Sequence, residues 1–284
     1  MMKMRNRLLL IEGIPGSGKT TLSARLSEYL SNHGVQARLY QEGDSNPVDL
    51  GWHARLTMQE YERLCSEHPA MHPSIQANTC FEEDHALIGY LNLTPKSDAE
   101  ALRSFFEAHE VYDGRVSPEV FSSLHRTRWK RFSDSEGKDG VILFESLFLQ
   151  NQLNELMGFQ LLDAETIAGH LNALVGLVHA WNPLLIYLRQ PDPDETIRRV
   201  ASQRLSSDKN RFPDWIDHCI RYVEQSPYGL RHGLKGYDGT LRFFKDRRAL
   251  ELEMLQRMDI PHVIVDNPEY DWDCVFARMT EILE

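Results

Sequence analysis

The sequence predicts a three-layer, doubly wound α/β domain, built on a mainly five-stranded parallel sheet with helices on both faces. Short apolar runs of strand length recur along the chain with helix-length segments between them, the alternation that a parallel sheet with helical crossovers requires. The runs are nearly continuous rather than alternating, as in strands buried on both faces. The first of them, Leu8-Leu9-Leu10-Ile11, leads into Gly13-Ile14-Pro15-Gly16-Ser17-Gly18-Lys19-Thr20, a complete G-x-x-x-x-G-K-[ST] motif that belongs between a strand and a helix.

Each element has its own signal. After the motif, Leu22, Leu26, Tyr29 and Leu30 recur at helical spacing, and Gly34 ends the helix. Val35 to Tyr40 alternates like a strand and empties into Gln41-Glu42-Gly43-Asp44. A mainly helical insertion is expected from about 52 to 138, with helices through Thr57–Leu64 and Asp98–Phe106 and a break between Pro69 and Pro73. Strands follow at Gly140–Phe144, which closes on Glu145, at Leu184–Arg189 and at His262–Val265. Pro227 to Gly239 holds four glycines and reads as a flexible loop inside a mobile region from about 198 to 240. With 284 residues, 42% hydrophobic and 26% charged, the chain is sized for one large domain, 1–284.

Composition excludes several classes of partner. A formal net charge of -11 argues against a nucleic-acid surface, which needs clustered Lys and Arg. No stretch has the apolar length of a transmembrane helix, so no membrane association is expected. The four cysteines lack C-x-x-C spacing, which points to a reducing cytoplasm, and His68 and His72 flank Pro69 and do not read as a zinc site. The oligomeric state, a homodimer included, stays open.

The glycines of the motif let successive backbone N–H groups converge, and the helix that begins at Lys19 adds its positive end. A polyphosphate fits such a nest. Gly13, Ile14, Pro15, Gly16, Ser17, Gly18, Lys19, Thr20 and Thr21 are therefore the expected nucleotide-binding residues, with Lys19 against the outer phosphates. Thr20 suits a magnesium ion, and Glu145, at a strand's carboxyl end, is its expected partner. A dinucleotide fingerprint would need a third glycine where Thr21 stands.

The order of motifs resembles the nucleoside and nucleotide kinases of the P-loop superfamily, most nearly the deoxynucleoside-kinase and thymidylate-kinase branch. Glu42 is followed by Pro47-Val48 and Trp52 at a longer spacing than in that branch, and Glu145-Ser146 lacks the branch's intervening arginine. The segment Ile186-Tyr187-Leu188-Arg189-Gln190-Pro191, leading to Arg198, Arg199 and Arg204, is similar to the family's strand and arginine-bearing lid helix, and Ile264-Val265-Asp266-Asn267 with Asp271-Trp272-Asp273 to its end. The resemblance implies a P-loop kinase fold and transfer of phosphate from ATP, with Mg2+, to a small-molecule acceptor, a nucleoside or nucleotide first. The guanine clamp N-K-x-D and the transporter signature L-S-G-G-Q are both missing.

Phosphoryl transfer asks for positioning and charge stabilisation. Glu42 and Asp44 are equal candidates for the carboxylate that orients an acceptor hydroxyl, and Arg198, Arg199, Arg204 and Arg211 for lid cations. Arg198 and Arg199 point apart on a helix, so at most one of them reaches the phosphates. His125 to Arg131 is a basic cluster that suits either an anionic acceptor or a helix face paired with acids, and Trp52, Tyr90, Phe105, Phe106 and Trp129 suit either a pocket or a core. Read another way, the chain is a regulatory ATPase or switch that uses the same loop to act on a protein partner.

Overall fold

The apolar runs pair in parallel. In the computed structural model, which describes residues 4–82, 84–93, 99–135, 140–208 and 212–283, the chain opens with β1 (Leu8–Glu12), α1 (Lys19–Asn32) and β2 (Ala37–Tyr40). It continues through β3 (His53–Thr57), α2 (Met58–Glu67), α3 (His72–Ala77), β4 (Thr79–Glu82), β5 (His85–Gly89), α4 (Ala99–Ala108) and α5 (Pro118–Ser135). Next come β6 (Val141–Glu145), α6 (Gln150–Leu153), a π-helical turn at Asn154–Phe159, α7 (Ala164–Val178) and β7 (Pro183–Arg189). The remainder is α8 (Pro193–Gln203), α9 (Trp215–Gln225), α10 (Pro227–His232), α11 (Gly236–Arg257), β8 (His262–Asp266) and α12 (Trp272–Leu283). Two compact units result, one of Met1–Val48 with Leu124–Glu284, the other of Asp49–Ser123.

The first unit holds a five-stranded sheet in the order β2-β6-β1-β7-β8, every pair parallel. All five β1 residues are buried, because both faces of the sheet are covered. Leu9, Ile11, Leu143, Ile186 and Leu188 share one core with Leu22 and Leu26 of α1 and with Val275 and Met279 of α12. On the opposite face Phe144 meets Trp129 and Phe132 of α5, and Tyr187 donates to Glu251 of α11. Alternate residues of each strand thus serve opposite layers, as the pleat dictates. The central α/β fold is the one expected from the sequence.

The basic cluster lies on α5 and is mostly a packed or paired helix face. His125 and Trp129 are buried, Arg128 donates to the Asn46 carbonyl, and Lys130 pairs with Asp134.

The second unit contains the two helices expected in the insertion, as α2 and α4, and adds strands that were not expected there. It carries an antiparallel three-stranded sheet, order β3-β5-β4, beside the helices α2, α3 and α4. Its core gathers Ala54, Leu56, Tyr61, Leu64, Ile75, Ile88, Tyr90, Leu102 and Phe106. Tyr90 stacks on Phe106, and Trp52 meets Tyr90 edge-on, so most of these aromatics pack among themselves. The strands mix His, Arg, Thr and Glu with their apolar residues and lack the continuous apolar runs of β1 and β6, so they do not stand out beside stronger helical periods.

Pro227–Gly239 is a second correction. It forms α10 and the start of α11, not a loop. Ser226 caps α10 by accepting from Gly229 N–H, and a β-carbon at Gly229 would lie 1.8 Å from the Val223 carbonyl oxygen. That glycine serves close approach between helices rather than flexibility.

Candidate functional site

The carboxyl ends of β1, β2 and β6 and the start of α1 meet at one cleft of about 250 Å³ in the first unit. Its floor is the glycine loop. Gly18, at φ 95°, turns the chain into α1, and a β-carbon there would fall 1.8 Å from the Trp272 ring. Only glycine allows both the left-handed turn and that close ring. Trp272 begins α12 and Tyr270 donates to the Gly16 carbonyl, so the segment after β8 braces the loop from outside.

Lys19 is buried at the start of α1. Its ammonium donates to the Gly13 and Ile14 carbonyls at 2.9 and 3.2 Å and to Gln150 Oε1 at 3.3 Å. Burial lowers its pKa, against the opposing charges of Glu42, Glu12 and Glu145. Thr20 Oγ1 donates to Glu145 Oε1 at 2.5 Å, and Ser23 Oγ lies 3.3 Å from Glu145 Oε2. Burial raises the Glu145 pKa. Parallel register sets this meeting, since Glu145 pairs with Ile11 two residues before the loop. Ser17 Oγ is buried in the loop with no hydrogen-bond partner, an orphan hydroxyl of the kind a bound anion satisfies.

The two acids after β2 part company. Glu42 lines the cleft, accepting from Gln150 Nε2 at 2.7 Å and from Ser146 Oγ at 3.4 Å. Asp44 instead accepts from Gln41 N–H at 2.9 Å and lines a separate, open groove with Ser27, Glu28 and Ser31 of α1.

The arginines divide as well. Arg199 and Arg204 line the cleft, Arg199 stacked 3.5 Å from the centroid of Tyr270 and Arg204 over Trp215. Arg198 is exposed and is not part of the cleft lining, while Arg211 lies outside the described residues. Arg189 is bound to Asp266 by two contacts of 2.6 and 2.7 Å, which join the ends of β7 and β8. Among the described residues no three His, Cys, Asp or Glu side chains converge as a metal cage.

Three further residues shape the site without having been picked out from the sequence. Glu12, the last residue of β1, is fully buried and accepts from the backbone N–H of Phe148 at 2.8 Å and of Gln150 at 3.1 Å. A charged residue ending an apolar run directly before the first glycine was its signal. Gln150, at the start of α6, links Lys19 to Glu42, and nothing in its local sequence marks it. Gln203 joins the cleft from the last turn of α8.

No protein-family model matches the chain, and no curated protein matches its sequence. Among solved structures it is similar to deoxyadenosine kinase from M. mycoides with bound dATP, at 13% identity over 97% of this chain and 98% of that one, with a TM-score of 0.41. It is also similar to the thymidylate kinase of Candida albicans, at 17% identity over 99% and 92% of the two chains, TM-score 0.39. The thymidylate kinase of Ehrlichia chaffeensis matches at 11% identity over 98% of both chains, TM-score 0.42. The glycine loop is seated between β1 and α1 of an all-parallel five-stranded sheet, the strand-loop-helix setting that its motif requires.

Proposed function

We propose that the chain is an ATP- and Mg2+-dependent phosphotransferase for a small-molecule acceptor, with nucleosides and nucleotides the favoured class. One observation carries this reading: the loop, the ammonium of Lys19, the Thr20–Glu145 pair, the carboxylate of Glu42 and the guanidinium groups of Arg199 and Arg204 all border the same cleft. A site for nucleotide binding alone has no need of a carboxylate facing the phosphate end.

The loop amides and Lys19 hold the donor's phosphates and orient the last of them. Thr20 Oγ1 and Glu145 Oε1, now hydrogen-bonded to each other, are hard oxygen ligands of the kind a magnesium ion takes, and with that bond opened they would hold one that neutralises charge on the phosphate oxygens. An acceptor hydroxyl attacks the terminal phosphorus as the bond to the bridging oxygen breaks, and Glu42 takes the hydroxyl proton. Arg199 and Arg204 face the charge that spreads over the transferring group. Tyr270 and Trp272 offer the aromatic surface against which a donor base stacks. Asp44 and Arg198 are left outside this set, and a cytoplasmic setting fits the proposed substrates. No helix among the described residues is long and apolar enough to cross a membrane.

Labelled ATP, offered with a pool of nucleosides and nucleoside monophosphates, tests the proposal. Label passes to a member of the pool with the wild-type protein, and Lys19→Ala reduces the rate by roughly 10²-fold or more, the scale of losing one charge-stabilising donor. Free phosphate released only when a protein partner is added would make the chain a regulatory ATPase instead.

A further inference from the structure

We propose that Gln150 is a positioning residue that keeps the ammonium of Lys19 apart from the carboxylate of Glu42, so that the lysine stays available to the donor phosphates. The inference rests on the donor role proposed above for Lys19, and on no property of the acceptor.

The amide of Gln150 has two chemically different ends, and the site uses both. Its Oε1 accepts from Lys19 Nζ at 3.3 Å, while its Nε2 donates to Glu42 Oε1 at 2.7 Å. Those partners fix the amide's orientation, because an ammonium has nothing to accept with and an ionised carboxylate nothing to donate. The side chain is 4% exposed, so no bulk water takes its place. Its backbone is held too, through the N–H bond to Glu12 Oε2 at 3.1 Å.

The alternative arrangement is a direct ion pair. Of the charges acting on Lys19, that of Glu42 is the strongest, ahead of Glu12 and Glu145. Lys19 is buried whereas Glu42 is exposed, so water screens the attraction only at the carboxylate end, and the neutral amide of Gln150 between the two keeps the ammonium from swinging over to the carboxylate. Closure would pin the ammonium on Glu42 and draw it from the phosphates. A neutral amide satisfies both ions without joining them. Its hold on Lys19 is also the weaker of its two bonds by length, so a phosphate can take the lysine while Gln150 keeps Glu42.

Isothermal titration with Mg-ATP reads this directly, with no acceptor present. Gln150→Met keeps the volume and removes both hydrogen bonds, and it weakens Mg-ATP binding about tenfold, the scale of one misdirected charged hydrogen bond. Adding Glu42→Gln removes the ion that captures Lys19, and the double variant recovers to within about threefold of the wild type. A role in merely shaping the turn after β6 would leave the double variant as weak as the single one, and that result overturns the proposal. Should Gln150→Met fail to fold, Gln150→Glu serves. Its carboxylate pins Lys19 itself, so binding weakens and Glu42→Gln does not restore it. Unchanged affinity in Gln150→Glu overturns the proposal equally. Rescue without phosphate transfer to any pooled acceptor leaves this inference standing and removes the proposed kinase activity, whereas transfer without rescue does the reverse. No Mg-ATP uptake by the wild-type protein removes both.

Discussion

The two units spend their polar groups differently. In the first, charged side chains converge in the interior: Glu12, Lys19, Glu145, Arg247 and Glu251 are all at most 5% exposed. In the second, polar groups mostly act locally, as where Thr57 and Glu60 cap α2 through reciprocal bonds between side chain and backbone. Burying ions costs stability unless every partner is in place, so the first unit's polar groups depend on one another. A helix cap depends on little beyond its own turn. Single substitutions should therefore act collectively in one unit and additively in the other.

The largest effect is expected at Arg247. Its Nε lies 2.9 Å from Glu251 Oε1, its Nη1 donates to Asn154 at 2.9 Å, and Glu251 in turn accepts from Tyr187 at 2.5 Å. Arg247→Ala leaves a buried carboxylate without its counter-ion and destabilises by about 3–5 kcal/mol in urea unfolding. Arg247→Met with Glu251→Leu is milder than the single change. Equal effects would show that the pair does not act as a unit.

Glu12 comes next, and its signature is a pH dependence. Burial pushes its carboxyl from 4.5 up to about 7, although the Phe148, Leu149 and Gln150 amides pull the other way. Between those values the folded chain holds a proton that the unfolded chain has released, so stability falls as pH rises from about 4.5 to about 7 and levels off above. Glu12→Gln removes this contribution, and its unfolding free energy relative to the wild type should climb by about 3 kcal/mol across that window. A difference that stays constant from pH 4.5 to 8 would show that Glu12 titrates normally.

The smallest is Thr57→Ala in the second unit. Loss of the cap costs about 1 kcal/mol. Combined with Glu12→Gln it should add within about 0.5 kcal/mol, as independent sites do. A larger departure from additivity would break the contrast between the units.

The same contrast explains what could be read from the sequence. The central strands β1, β6 and β7 were legible because burial on both faces demands unbroken apolar runs, as at Leu8–Ile11, β2 by its alternation, and the loop because the phosphate nest tolerates few residues at its glycines. The second unit's strands were not, since none of β3, β4 and β5 holds a four-residue apolar run like Leu8–Ile11. Within the site, Lys19, Thr20, Glu145 and Glu42 followed from motif and strand end. The separation of Glu42 from Asp44 did not, because it hangs on which carboxylate folds back onto Gln41 N–H. Gln150 was invisible for a related reason. Its importance comes from Lys19 and Glu42, more than a hundred residues away, and local sequence carries no trace of such partners. The glycine at 229 misled because the same residue serves both supple turns and close packing against a neighbouring helix.

Trp272 carries a practical consequence. Its indole sits so near Gly18 that any occupant of the loop alters the ring's surroundings. The chain thus contains its own optical gauge. Emission from this tryptophan should register a ligand's arrival in real time, with no dye attached and no chemical turnover required.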